Sequence, residues 1–217
     1  MRGCIFDLDG TLVNTLPTVH HYCNLSLAYF GLSPIPEDAC RRLCRLPISS
    51  FYHRLLKLGG CPEERIEALA PAIRDYDLSI YLRDCRYLTE PYPGIRELLR
   101  GLRERGAVTA VLTNKHAQVA ESLMAELFPG AFDLVRGQTP ATISKPDPRS
   151  LWNLLRDLKL RKEECVYVGD TDVDMDTAKA AGVPAAAATW GFQEREILLG
   201  CGPDFVADRP EELLTLF

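Results

Sequence analysis

The sequence predicts an α/β fold, with a Rossmann-like parallel-sheet core split after its first strand by an inserted all-helical domain. Three observations predict it. An apolar run over 3–6 stops at once in Asp7-Leu8-Asp9-Gly10-Thr11, residues 15–87 show helical spacing with no strand-like alternation, and beyond Gly94 short apolar runs alternate with amphipathic segments. Alternation of that kind places parallel strands between two layers of helices. The domain limits it sets are 1–14 together with 88–217 for the core, and 15–87 for the insert.

Strand 3–6 opens the core. Val19, Cys23, Leu27 and Phe30 then recur at intervals of four, four and three, a helix face that Gly31 ends. After the break Ser33-Pro34-Ile35-Pro36, a second short helix runs to near Leu46-Pro47. Phe51, Leu55, Leu56 and Leu58 mark a third, stopped by Gly59-Gly60. Ile66, Leu69, Ala70, Ile73 and Ile80 mark a fourth, in which Pro71 predicts a kink or a split because proline lacks the N–H and crowds the preceding turn. The stiff segment from Thr89 to Gly94 marks the return to the core. Beyond it the pattern predicts helix 94–105, strand 107–112, helix 116–127, strand 132–136, helix 148–159, strand 165–168, helix 173–181, strand 185–189 and a last strand-helix pair over 204–216.

The 217 residues are 47% hydrophobic and 25% charged, enough apolar material for a core without cross-links. The net charge of −5 argues against nucleic acid as a partner, since phosphate-backbone affinity rests on clustered Lys and Arg. No stretch reaches the roughly 18 apolar residues that a membrane span needs, and the first apolar run is too short for a secretory leader. Eight cysteines are scattered without a Cys-x-x-Cys pair, so free buried thiols in a reducing, cytoplasmic setting are expected.

Open sheets of this class bind ligands at the carboxyl ends of their strands. The first strand delivers Asp7, Asp9 and Thr11 there, and strand 107–112 delivers Thr113 and Asn114, with Asn114 expected to open a helix whose free N–H groups favour an anion. A loop carries Ser144-Lys145-Pro146, and strand 165–168 delivers Gly169-Asp170-Thr171-Asp172-Val173-Asp174. Paired acids held together stay ionised only if a cation sits among them, and oxygen ligands suit a divalent one such as Mg2+. Acids, a hydroxyl and a lysine around such an ion suit phosphoryl transfer, in which an Asp can attack phosphorus and a second acid can move the protons.

Phe6-Asp7-Leu8-Asp9-Gly10-Thr11-Leu12-Val13, Leu112-Thr113-Asn114, Lys145-Pro146 and Gly169-Asp170-(x)3-Asp174 resemble, in order, the four motifs of the haloacid dehalogenase-like hydrolases. The helical insert is similar to the cap domain of the phosphoglycolate phosphatase and β-phosphoglucomutase group. Ala178–Gly182, Thr189-Trp190-Gly191-Phe192 and Pro203-Asp204-Phe205-Val206 look most like phosphoglycolate phosphatases. The resemblance implies Asp7 as nucleophile and magnesium ligand, and Asp9 as general acid and base with its main-chain carbonyl on the metal. It implies Thr113 and the Asn114 amide as phosphate-binding groups, Lys145 as neutraliser and orienter of Asp7, Asp170 as magnesium ligand, and Asp174 in or beside the metal shell. Asp172 and Asp176 read as an acidic helix start. Asn14 stands where many relatives carry Asp.

Asp9 favours ester chemistry, because dehalogenases of the superfamily lack that acid and phosphonatases replace it. The expected partner is a small phosphate ester. A phosphosugar mutase or a nucleotide or pyrophosphate hydrolase would share every core residue, whereas a phosphate-accepting receiver module would lack the insert. Specificity belongs to the cap, where Arg42, Arg45 and His53 on the second and third helices could meet a carboxylate or hydroxyl of the substrate.

Overall fold

The computed structural model describes residues 1–46 and 48–217. The chain forms two compact units, one of Met1–Asn14 with Pro91–Phe217 and the other of Thr15–Glu90. Within the first unit, a parallel six-stranded sheet has the order β5-β4-β1-β6-β7-β8. Its strands are β1 (Gly3–Phe6), β4 (Val108–His116), β5 (Leu134–Gln138), β6 (Cys165–Gly169), β7 (Ala185–Ala188) and β8 (Phe205–Ala207). Two short strands, β2 (Val13–Asn14) and β3 (Glu90–Pro91), mark where the chain leaves and returns. On its return Tyr92 donates its N–H to the Leu12 carbonyl at 3.1 Å.

Burial explains why the strands lack alternation. All four residues of β1 and all five of β6 are buried, as a strand covered on both faces must be. The Ala-Ala-Ala-Ala of β7 has weak strand preference by itself and is held by its place between β6 and β8. The flanking helices are α5 (Ile95–Glu104), α6 (Ala117–Leu127), α7 (Arg149–Leu158), α8 (Asp172–Ala181) and the short α9 (Arg195–Gly200). Helix α5 buries Ile95, Leu98, Leu99 and Leu102, a stripe at helical spacing, while α7 sends Leu151, Leu154 and Leu155 into a core shared with Ile5, Tyr167 and Ala187.

The second unit holds α1 (Leu16–Tyr29), α2 (Glu37–Leu43), α3 (Ile48–Leu58) and α4 (Glu63–Tyr81). Buried Asp77 ties three of them together, accepting from Ser26 Oγ and Tyr52 Oη at 2.9 Å each. Helix α4 runs through Pro71 as one element, so the expected split does not occur. Helix α2 stops at Leu43, short of the expected end near Leu46, and Pro47 lies outside the described residues.

Three further expectations are corrected. Strand β4 continues through Asn114 to His116, so Asn114 opens no helix; the tail stays extended because His116 still pairs with Gln138 of β5 beyond a bulge. Helix α9 has no counterpart among the predicted elements, being six residues long with only Leu198 buried. The last element, Pro210–Leu216, is a 3-10 helix. All eight cysteines are free, and burial pushes the Cys4 thiol well above its ordinary value. Among the described residues, no helix is long and apolar enough to cross a membrane.

Candidate active site

Phe6 stands level with Val111 of β4 and Val168 of β6, so Asp7 follows β1 one residue on, while Thr113 and Asp170 lie two residues beyond those partners on the neighbouring strands. The strand order reverses between β1 and β6, the position where such sheets bind ligands. Beyond β1 the chain turns tightly. Thr11 and Leu12 donate N–H to the Leu8 carbonyl at 3.3 and 3.0 Å, and Gly10 donates to that of Val13 at 2.9 Å. Gly10 has φ of 86° and faces Asp170 so closely that a Cβ would collide, which leaves glycine as the residue for the turn.

Asp7, Asp170 and Asp174 are buried and each brings a carboxylate oxygen within 4.8 Å of the others. Their partners differ. Lys145 Nζ lies 2.8 Å from Asp7 Oδ1 and donates to Asp174 Oδ1 at 2.7 Å. Thr11 Oγ1 and the Phe192 N–H donate to opposite oxygens of Asp170, each at 2.7 Å. Thr171 caps α8 by donating its hydroxyl at 2.6 Å and its N–H at 3.1 Å to Asp174 Oδ2, while Tyr167 Oη lies 3.1 Å from Asp174 Oδ1. The Asn114 side chain fixes Lys145 by accepting from its N–H at 2.9 Å and donating to its carbonyl at 3.1 Å.

Three buried acids facing one lysine carry more negative than positive charge. Burial pushes Asp7 up to about 7, with Lys145 opposing the rise and Asp174 and Asp9 adding to it. Burial also raises Asp170 well above the usual carboxylate range, reinforced by Asp174 and Asp7. Burial alone would depress Lys145, but Asp174 and Asp7 outweigh it and hold its pKa well above the ordinary value. Moreover, Asp7 Oδ1 is buried and accepts no aligned hydrogen bond, although Lys145 stands near. A hard divalent cation fits this donor set, and Asp7, Asp170 and Asp174 are the residues that would hold it.

That fit has a measurable consequence. The folded-state pKa of Asp7, about 7, lies above its unfolded value of about 4, so the folded protein keeps a proton that the unfolded chain releases. The stability this contributes is complete below about pH 4 and is lost as pH rises through 7. Because a cation must displace that proton, Mg2+ is expected to raise the melting temperature more at pH 8 than at pH 5. Equal shifts at the two pH values, read by thermal denaturation, would contradict the assignment.

The remaining candidates fall as follows. Thr113 is buried within β4, three residues before its end, and its hydroxyl accepts from the Lys115 N–H at 3.2 Å. The Asp9 carboxylate lies outside the acidic cluster and receives Lys115 Nζ at 2.9 and 3.3 Å. Asp172 starts α8 half-buried and Asp176 is exposed. In the helical unit Arg42 is exposed, Arg45 is half-buried, and His53 Nε2 stands 3.4 Å from Glu67 Oε2.

Sequence reasoning missed Lys115, Tyr167 and the support given by the loop after β7. In that loop Trp190 Nε1 donates to the Thr11 carbonyl at 3.0 Å, and Gly191 approaches Asp170 too closely for any side chain. Lys115 had a readable signal, a cation one residue past Thr113 and Asn114, the pair expected to bind phosphate. Tyr167 had none, since an aromatic residue within an apolar strand reads as core.

The family model described as haloacid dehalogenase-like hydrolase matches residues 4–188. A phosphoglycolate phosphatase of Synechococcus elongatus is 31% identical over 215 residues, covering 99% of this chain and 96% of the relative. An N-acetylmuramic acid 6-phosphate phosphatase of Pseudomonas aeruginosa is 29% identical over 222 residues, covering 100% of this chain and 94% of the relative. A crystal structure from Lactobacillus delbrueckii subsp. bulgaricus superposes with a TM-score of 0.87 at 25% identity, covering 99% of this chain and 97% of that one.

Proposed function

Because this chain belongs to the haloacid dehalogenase-like hydrolases, we propose that it is a Mg2+-dependent phosphatase that hydrolyses a small phosphate monoester, phosphoglycolate-like, through an aspartyl-phosphate. The observation that supports this reading is the different placement of the two acids. Asp7 lies in a buried cluster beside Lys145, while Asp9, two residues on, is held apart by another lysine.

In the first step an Asp7 carboxylate oxygen attacks phosphorus in line with the ester bond. The Asp7 O–P bond forms, the ester P–O bond breaks, and Asp9 supplies the proton that the leaving alkoxide needs. Thr113 and the Asn114 N–H hold phosphoryl oxygens, and Lys145 orients Asp7 and offsets the charge that would repel it. In the second step Asp9 takes a proton from water as its oxygen attacks phosphorus, which breaks the Asp7 O–P bond and releases orthophosphate. Bound Mg2+ would supply charge neutralisation for both steps.

The two named relatives act on phosphorylated acids. A carboxylate-bearing substrate is therefore favoured, with Arg42 and Arg45 as the cationic side chains that would receive it. The test is a screen with Mg2+ over phosphoglycolate, phosphorylated sugar acids, neutral sugar phosphates, nucleotides and pyrophosphate. Highest kcat/KM on a phosphorylated carboxylic acid is expected, with KM raised about tenfold by Arg45→Ala or Arg42→Ala, the loss of one charge-assisted contact. Full turnover in excess EDTA, or none on any monoester, would overturn the proposal.

A further inference from the structure

We infer that Lys115 is a positioning residue that holds the Asp9 carboxylate apart from the acidic cluster and toward the leaving group. The inference rests on the role proposed above for Asp9. Because β4 continues past Asn114, Lys115 is carried on a rigid strand rather than on a helix turn. Its side chain is only 7% exposed, against 20% for Asp9, and its ammonium meets both Asp9 oxygens. Burying such a pair costs desolvation that the attraction need not recover, so stability gives little reason to keep it.

A mechanical reason is available. The main chain around Asp9 is fixed by the Asp9–Val13 bridge and the Gly10 to Val13 hydrogen bond, and the contact with Lys115 bears on the carboxylate itself. Two residues away stand Asp7 and its partners, which also pull on any cation-seeking oxygen. Two lysines sort the acids. Lys145 serves Asp7 and Asp174, whereas Lys115 serves Asp9, and each acid is thereby kept to one task. Without Lys115 the Asp9 side chain, which enters the first step as the carboxylic acid and leaves it as the carboxylate, would be poorly placed to pass its proton to the alkoxide as the ester bond breaks.

The distinguishing readout is dependence on the leaving group. An alkyl phosphate, the best one from the screen, needs a proton on its alkoxide, whereas 4-nitrophenyl phosphate releases a phenolate that needs none. In single-turnover measurements of leaving-group release, Lys115→Met is expected to slow the alkyl ester about 100-fold, the scale of general-acid catalysis, and the nitrophenyl ester far less. Lys115→Leu, which likewise removes every donor to Asp9, takes its place if the Met variant fails to fold. Equal losses on both esters, or no loss on either, would overturn the inference. Asp9→Asn serves as the reference: if it shows the split and the Lys115 variants do not, Lys115 has no positioning role while the proposed function stands. If Asp9→Asn shows no split, the acid role of Asp9 fails, and the inference with it.

Discussion

Asp7→Asn is expected to abolish turnover, by at least about 10⁴-fold, the scale on which loss of a nucleophile acts, while leaving the fold standing. The amide matches the carboxylate in shape but cannot displace an alkoxide from phosphorus. It also removes one of three acids crowded within 4.8 Å, and Lys145 keeps its 2.7 Å bond to Asp174. Without metal the variant should therefore melt at or above the temperature of the parent, because a carboxyl whose pKa burial raises to about 7 no longer has to be accommodated. Steady-state assays beside thermal denaturation would decide it. Retained turnover would remove Asp7 from its role, and a collapsed fold would show that the cluster serves structure first.

Lys145→Met should impair both activity and stability. The ammonium lies between Asp7 Oδ1 and Asp174 Oδ1, is 4% exposed, and sits 5.7 Å from the Tyr167 ring centre. Removing one partner of a buried ion pair strands the other and costs about 3–5 kcal/mol. Here two acids are stranded, although Asp7 can take up a proton, so the destabilisation is expected to be smaller at pH 5 than at pH 8. Turnover should fall about 10³-fold, the upper range for loss of a group that stabilises transition-state charge. Denaturant unfolding at the two pH values checks the first claim and kcat the second. A variant as stable and active as the parent would show that Lys145 neutralises nothing that matters.

Much of this architecture was legible because the signals were local. Asp7, Thr113, Lys145 and Asp170 each follow an apolar run or a proline-marked loop, and a parallel sheet gathers strand ends without further instruction. The misreadings came where tertiary pairing decides local conformation. Asn114 followed by Lys115 and His116 reads as a helix start, yet pairing with β5 keeps the chain extended. Pro71 reads as a kink or a split, and of the two the split does not occur, because packing carries α4 through it with Ala70 and Ile73 buried on either side. The bonds to Asp170 from Thr11 and Phe192 join positions 159 and 22 residues away, and no local pattern announces such partners.

The central claim is that phosphate passes through Asp7. Its most direct measurement is to mix the Asp9→Asn variant with Mg2+ and 4-nitrophenyl phosphate, whose leaving group needs no proton, quench in acid, and locate covalent phosphate by peptide mass spectrometry. Loss of the base that activates water should let the intermediate accumulate, with phosphate on the peptide containing Asp7 and none there when Asp7→Asn is added. Leaving-group release with no phosphorylated peptide, or phosphate that persists in the double variant, would contradict the account.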